Sequence, residues 1–125
     1  MPLSKETLDF RYVPRAVDAA GRVTINDRQF DRSFAISGDT LIEDWSPRDA
    51  ASLQPSDLDA LFALQPTVIL LGTGPRHSFP APAVLAAALG RGIGLEPMDN
   101  AAAARTFAVL ASEGRKVVAA FLIAP

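Results

Sequence analysis

The sequence predicts an α/β domain: a mixed sheet with helices on its faces and a β-rich addition on the N-terminal side. Three observations carry this reading. The back half alternates between helical and extended patterns, in the order αβαβαβ. Two of its extended segments, "TVILLG" from Thr67 and "KVVAAFLIA" from Lys116, are continuous apolar runs, as expected of strands covered on both faces. Strands joined through helices favour parallel neighbours and right-handed crossovers.

The front half reads as β structure. In "RVTINDRQFDRSFAIS", Val23 and Ile25 precede an Asn26-Asp27 turn, and Phe30, Phe34 and Ile36 follow on one parity, the pattern of a hairpin. Arg28 and Arg32 share that parity and make the alternation imperfect. Ser37-Gly38-Asp39 marks a second turn, and "TLIEDW" a third short strand. Ser56 is placed to cap a helix carrying Leu58, Leu61, Phe62 and Gln65, which Pro66 ends. "PAPAVLAAALGRG" opens on prolines and closes on glycines, the usual order for a helix. "IGLEPMD" is a short strand, with residues 67–71 and 93–97 expected as parallel neighbours. "NAAAARTFAVLASEG" is a helix with Asp99 or Asn100 at its N-cap and Gly114 past its end. The small side chains of Ala101–Ala104 would let that helix approach a sheet closely. No repeat or low-complexity linker divides residues 1–125, which read as a single domain.

Composition narrows the chemistry. With 125 residues, 49% hydrophobic and 21% charged, the chain can bury a sizeable core. A formal net charge of −2 and spread-out Lys and Arg give no footprint for nucleic acid. Without cysteine, disulfides, thiolate nucleophiles and Cys-ligated metals are excluded, and the single histidine, His77, excludes a His-rich metal site. No cofactor and no metal are expected. "MPLSKETLDFRYVPR" lacks the apolar core of a signal peptide, and no apolar run approaches the roughly 20 residues of a membrane span. A soluble, cytoplasmic protein is expected.

The stretch "TVILLGTGPRHSFP" poses the functional question: is Gly72-Thr73-Gly74 a phosphate-cradling loop or a tight exit from a sheet? If the strands before Gly72 and Met98 are parallel, this loop and the Met98-Asp99 turn share one sheet edge, where open α/β sheets bind ligands. The helix opening at Asn100 would aim its free amides into that crevice, with Arg76, His77 and Arg105 adding positive charge. The candidate ligand site is therefore Gly72, Thr73, Gly74, Arg76, Met98, Asp99, Asn100 and Arg105, for a small anion. Plainer roles compete. The loop matches neither a dinucleotide fingerprint nor a P-loop, Pro75 removes an amide, and a turn needing positive φ explains both glycines. Asp99 serves as a helix cap, Arg105 as an ion-pair partner of Glu96 or Asp99, and Trp45 as a core residue. No catalytic residue is assigned: a hydroxyl at Thr73 or Thr106 needs a positioned base, and His77 would reach Thr73 only if the loop folds back.

"ILLGTGPRHSFP" followed by "GLEPMDNAAAARTFAVLASEGRKVVAAFL" resembles a family of small domains of unknown function. That family includes a mitochondrial respiratory complex I assembly factor and the adipogenesis-associated domain protein. The match runs through Gly72-Thr73-Gly74, Met98-Asp99, Ala103, Arg105-Thr106, Leu110 and Glu113-Gly114-Arg115. Asn100, Ala104, Phe107 and Ala108 stand where the family usually has Thr, Cys, Tyr and Asn, so polar groups are missing from one helix region. The resemblance implies a three-layer α/β domain with a mixed, mainly parallel central sheet of about five strands. It also implies an accessory or assembly role through contact with another protein, such as a component of a membrane complex or of protein translocation, without membrane insertion. The expectation is a non-enzymatic accessory domain, with a small-anion binding domain or an enzyme using the crevice at Gly72–Gly74 and the Asn100 helix N-terminus as the alternative.

Overall fold

The computed structural model describes residues 11–125; most of the stretch read for a signal peptide, 1–10, lies outside them. Strands β1 (Pro14–Val17), β2 (Val23–Ile25) and β3 (Arg28–Phe30) form a small antiparallel sheet. The expected hairpin is β2–β3, turning at Asn26-Asp27, with Val23 opposite Phe30 and Ile25 opposite Arg28. Phe34 and Ile36 do not extend it. They belong to β4 (Phe34–Ile36), which crosses into a second, five-stranded sheet with β5 (Leu41–Ile42), the short strand expected in "TLIEDW".

That central sheet has the order β5-β4-β8-β6-β7, with β6 (Val68–Gly72), β7 (Gly94–Met98) and β8 (Val117–Phe121). Strand β6 pairs parallel with β7 and β8, while β4 is antiparallel to β8 and to β5, so only β4 runs against the rest. The expected parallel neighbours are thus β6 and β7, shifted one residue from the expected boundaries. Strand β7 begins one helical crossover after β6, and both send their chains out at the same edge.

The apolar runs are explained by double coverage. Val68 and Leu70 of β6, with Val117, Ala119 and Phe121 of β8, pack on helix α3 (Asn100–Ser112) and on the small sheet. The alternate residues Ile69, Leu71, Val118 and Ala120 pack against the opposite layer. That layer holds a 3-10 turn (Pro55–Leu58), a short helix α1 (Asp59–Phe62) and α2 (Pro82–Leu89). Every residue of β6 and β8 is buried. On α3 the face toward the sheet is Ala103, Ala104, Phe107 and Ala111, so the alanines do allow a close approach, around one buried ring.

Ser56 does not cap its helix. The chain enters through Gln54, whose backbone N–H donates to the Asp57 carboxylate at 2.7 Å, and Pro55 begins a 3-10 turn. A proline with fixed φ and no N–H suits the first helical position, which moves the start ahead of Ser56. Trp45 is a core residue, 6% exposed; its indole N–H donates to the Asp57 carbonyl at 2.9 Å and holds the connection from β5 against this turn.

Candidate functional site

The loop after β6 and the turn after β7 meet as their order requires. The Thr73 amide donates to the Met98 carbonyl at 2.8 Å, and the Asn100 amide donates to the Gly74 carbonyl at 2.8 Å. Six of the candidate residues (Gly72, Thr73, Gly74, Met98, Asp99 and Asn100) therefore converge at the carboxyl edge of the sheet. What fills the edge is protein.

Asn100 is completely buried, and its side-chain amide is fully used. Its Oδ1 accepts the Gly74 N–H at 3.1 Å, and its Nδ2 donates to the carbonyls of Gly21 at 2.8 Å and Leu122 at 3.0 Å. One side chain thereby ties together the turn between β1 and β2, the loop after β6 and the exit of β8. Gly72 is explained by this knot: a Cβ there would overlap Asn100 Oδ1 and approach the Phe121 ring to 3.1 Å. Positive φ, expected to explain both glycines, applies to Gly74 (φ +106°) and not to Gly72.

The helix start is equally committed. Asp99 is the N-cap of α3; its carboxylate accepts the Ala102 N–H at 2.7 Å and its carbonyl the Ala103 N–H at 2.9 Å. Together with the Asn100–Gly74 bond, these satisfy amides that an anion would otherwise meet.

Thr73 organises the next five residues. Its hydroxyl donates to the Arg76 carbonyl at 2.7 Å and accepts the Ser78 N–H at 3.0 Å, with the Met98 carbonyl 3.2 Å away. The loop does fold back on Thr73, but through its backbone rather than through His77. Pro75 and Pro80 bracket the fold-back, each removing backbone freedom from the unfolded chain. Arg76 and His77 are exposed, and Phe79 is 71% exposed, with the His77 ring edge-on at 4.6 Å between centroids. This presented aromatic was absent from the sequence expectation, although an apolar ring between Ser78 and Pro80 in a polar loop is a visible signal.

Arg105 lies elsewhere. It is exposed on α3 and lines a groove of about 350 Å³ against β1, with Arg15, Val17, Ala104 and Ala108. It forms no ion pair with Glu96 or Asp99, contrary to expectation. Position 105 follows the outer face of α3 beyond its first turn, while Asp99 turns its carboxylate inward to cap. Among the described residues no group of three or more His, Asp or Glu side chains is placed to hold a metal ion. The shifted ionisable groups lie away from this edge: the Arg28 guanidinium, 2.6 Å from Glu43, holds that carboxyl below its ordinary range, and the Ser52 backbone and hydroxyl do the same for Asp49.

Fold and site define a three-layer α/β domain whose carboxyl sheet edge is closed by a buried asparagine. The chain belongs to the family described as "Protein of unknown function (DUF498/DUF598)", which matches residues 18–122. It is 50% identical to a Xanthomonas campestris protein solved by NMR, covering 98% of this chain and 92% of that one at a TM-score of 0.84. A Bordetella pertussis protein described as an Mth938-like domain is 27% identical, with 89% and 85% covered and a TM-score of 0.75. The "13 kDa major membrane protein" of Francisella tularensis is 26% identical over 98 residues, 78% of this chain and 80% of that protein. In this chain no helix of the described residues is long and apolar enough to cross a membrane.

Proposed function

We propose that this protein is a cytoplasmic accessory or assembly factor that acts by contact with another protein, a component of a membrane complex, and that residues 76–79 form its anchor. The observation that carries this is Phe79: a large apolar ring held out to solvent on a loop whose backbone Thr73 fixes from behind. Aromatic and Arg side chains dominate binding energy at protein interfaces, and an anchor already rigid in the free protein loses little entropy on docking. Arg76, exposed on the same loop three residues before Phe79, supplies the second such residue. The resemblance to a family with an assembly factor of respiratory complex I supports the role, and the membrane-protein name of the Francisella relative supports a site of action beside a membrane.

The bonding at the sheet edge favours this over an anion-binding crevice. The Asn100 amide, the Thr73 hydroxyl and one oxygen of the Asp99 carboxylate are each bonded to backbone, so a ligand contacting them would have to displace existing hydrogen bonds.

The test is photo-crosslinking in cells with a benzophenone amino acid at position 79 and, as control, at Glu113. A discrete heteromeric product at 79 alone, weakened by Arg76→Ala, is expected. Purified protein should show no turnover of esters, phosphate esters or nicotinamide cofactors. Turnover that disappears in His77→Ala or Asp99→Asn would overturn the proposal.

A further inference from the structure

The Glu113-Gly114-Arg115 stretch lies at the opposite end of the sheet from the Gly72–Gly74 loop, and the role just described does not use it. There, at the amino ends of β6 and β8, a cavity of about 340 Å³ opens between the end of α3, the loop after α1 and the Ser37–Asp39 turn. Its lining divides by chemistry. Leu64, Pro66 and Ala111 supply apolar surface, whereas Arg115 and Lys116 stand on the rim.

Both cations are exposed, and neither forms an ion pair with a carboxylate among the described residues. Among the described residues the one acid on the rim is Asp39, which accepts the hydroxyls of Ser37 at 3.2 Å and Thr40 at 3.1 Å. The described residues of the rim thus carry two positive charges against one negative in a chain of net charge −2. The backbone beneath them is fixed from both sides. The Arg115 N–H donates to the Leu110 carbonyl and the Val117 N–H to the Arg115 carbonyl, each at 3.0 Å, and the Lys116 carbonyl accepts the Thr67 N–H at 2.8 Å and hydroxyl at 3.1 Å. Two cations without a carboxylate partner among the described residues thus line a cavity that also offers apolar surface, a combination complementary to an anionic head on an aliphatic body.

We infer that this cavity binds a small amphiphilic anion, a short aliphatic chain ending in a carboxylate or phosphate, with Arg115 and Lys116 on the head and Leu64, Pro66 and Ala111 against the chain. The inference is independent of the contact role of residues 76–79.

The experiment is an amide NMR titration of the full chain with hexanoate, hexyl phosphate, hexanol and inorganic phosphate. Hexanoate or hexyl phosphate should shift residues 37–39 and 114–118 saturably, and the tighter of the two names the head group. The Arg115→Gln/Lys116→Gln double variant, whose spectrum reports its fold, should bind about tenfold more weakly or worse, as should hexanol and inorganic phosphate with the native chain. Binding should weaken further as salt is raised. Shifts confined to other residues, or equal affinity in the double variant, would overturn the inference. So would hexanol binding as well as the anions, which removes the need for charge, or inorganic phosphate doing so, which removes the need for the apolar floor.

Discussion

Replacing Asn100 by Ala tests whether the closed sheet edge is structural. The change strands the Gly74 N–H and leaves the Gly21 and Leu122 carbonyls without their donor, all in a site where the asparagine is 0% exposed. A buried N–H without an acceptor costs about 1–3 kcal/mol, and each carbonyl, with a second lone pair to use, about 1 kcal/mol. The expected loss is about 3–5 kcal/mol, a large share of the roughly 5–15 kcal/mol that stabilises a domain. At this chain length it corresponds to a fall in Tm of about 10–20 °C. Urea unfolding followed by Trp45 fluorescence and by circular dichroism measures it. A loss below about 1 kcal/mol would refute the reasoning. The cycle with Gly72→Ala sharpens the test. That methyl collides with Asn100 Oδ1 in the native background, a collision that Asn100→Ala removes, leaving the 3.1 Å approach to the Phe121 ring. The double variant should therefore be at least ~1 kcal/mol more stable than the single losses add up to.

Other outcomes follow from the same contacts. Arg105→Ala should change stability by no more than about 0.5 kcal/mol by urea unfolding, because the side chain is exposed and pairs with neither Glu96 nor Asp99. Trp45→Phe should cost about 1–2 kcal/mol by circular dichroism, since it removes the donor to the Asp57 carbonyl along with part of a buried ring system. Arg28 lowers the Glu43 pKa in the folded state, so the pair stabilises above the unfolded carboxylate value of 4.5 and that contribution is lost as pH falls through the lower folded value. The difference in urea midpoint between native chain and Arg28→Gln should accordingly be present at about pH 7 and shrink in the acid range below 4.5. A difference independent of pH would contradict the pairing.

Much of the fold was legible because it rests on short-range signals. Double coverage of β6 and β8 shows as unbroken apolar runs, and the crossovers show as strand–helix–strand order. The pairing of β4 with β8 was not legible: Phe34 and Phe121 are far apart in sequence, and the parity linking Phe30 to Phe34 looked like one hairpin. The rings of Phe30 and Phe34 do stack, at 4.1 Å between centroids, across the two sheets rather than within one.

At the candidate site, local order placed Gly72–Gly74 beside Asp99 and Asn100 correctly, and the capping of α3 by Asp99 followed from residue type. Asn100 could not be read as a tie, because its partner Gly21 lies 79 residues away. That closure and the Asp99 cap engage the Gly74, Asn100 and Ala102 amides on which an anion site would draw. Arg105 was misplaced because its position along α3 decides its neighbours, and periodicity alone left it free to face either Glu96 or the β1 groove.

The central claim, that the loop after β6 exists to present Phe79 to a protein partner, is tested most directly by titration calorimetry of the purified chain with the protein crosslinked at position 79. Phe79→Ala leaves the Thr73 hydrogen bonds in place and should weaken the complex about thirtyfold or more, the loss of at least ~2 kcal/mol that marks an interface hot spot. Equal affinity in the native chain and Phe79→Ala would contradict it.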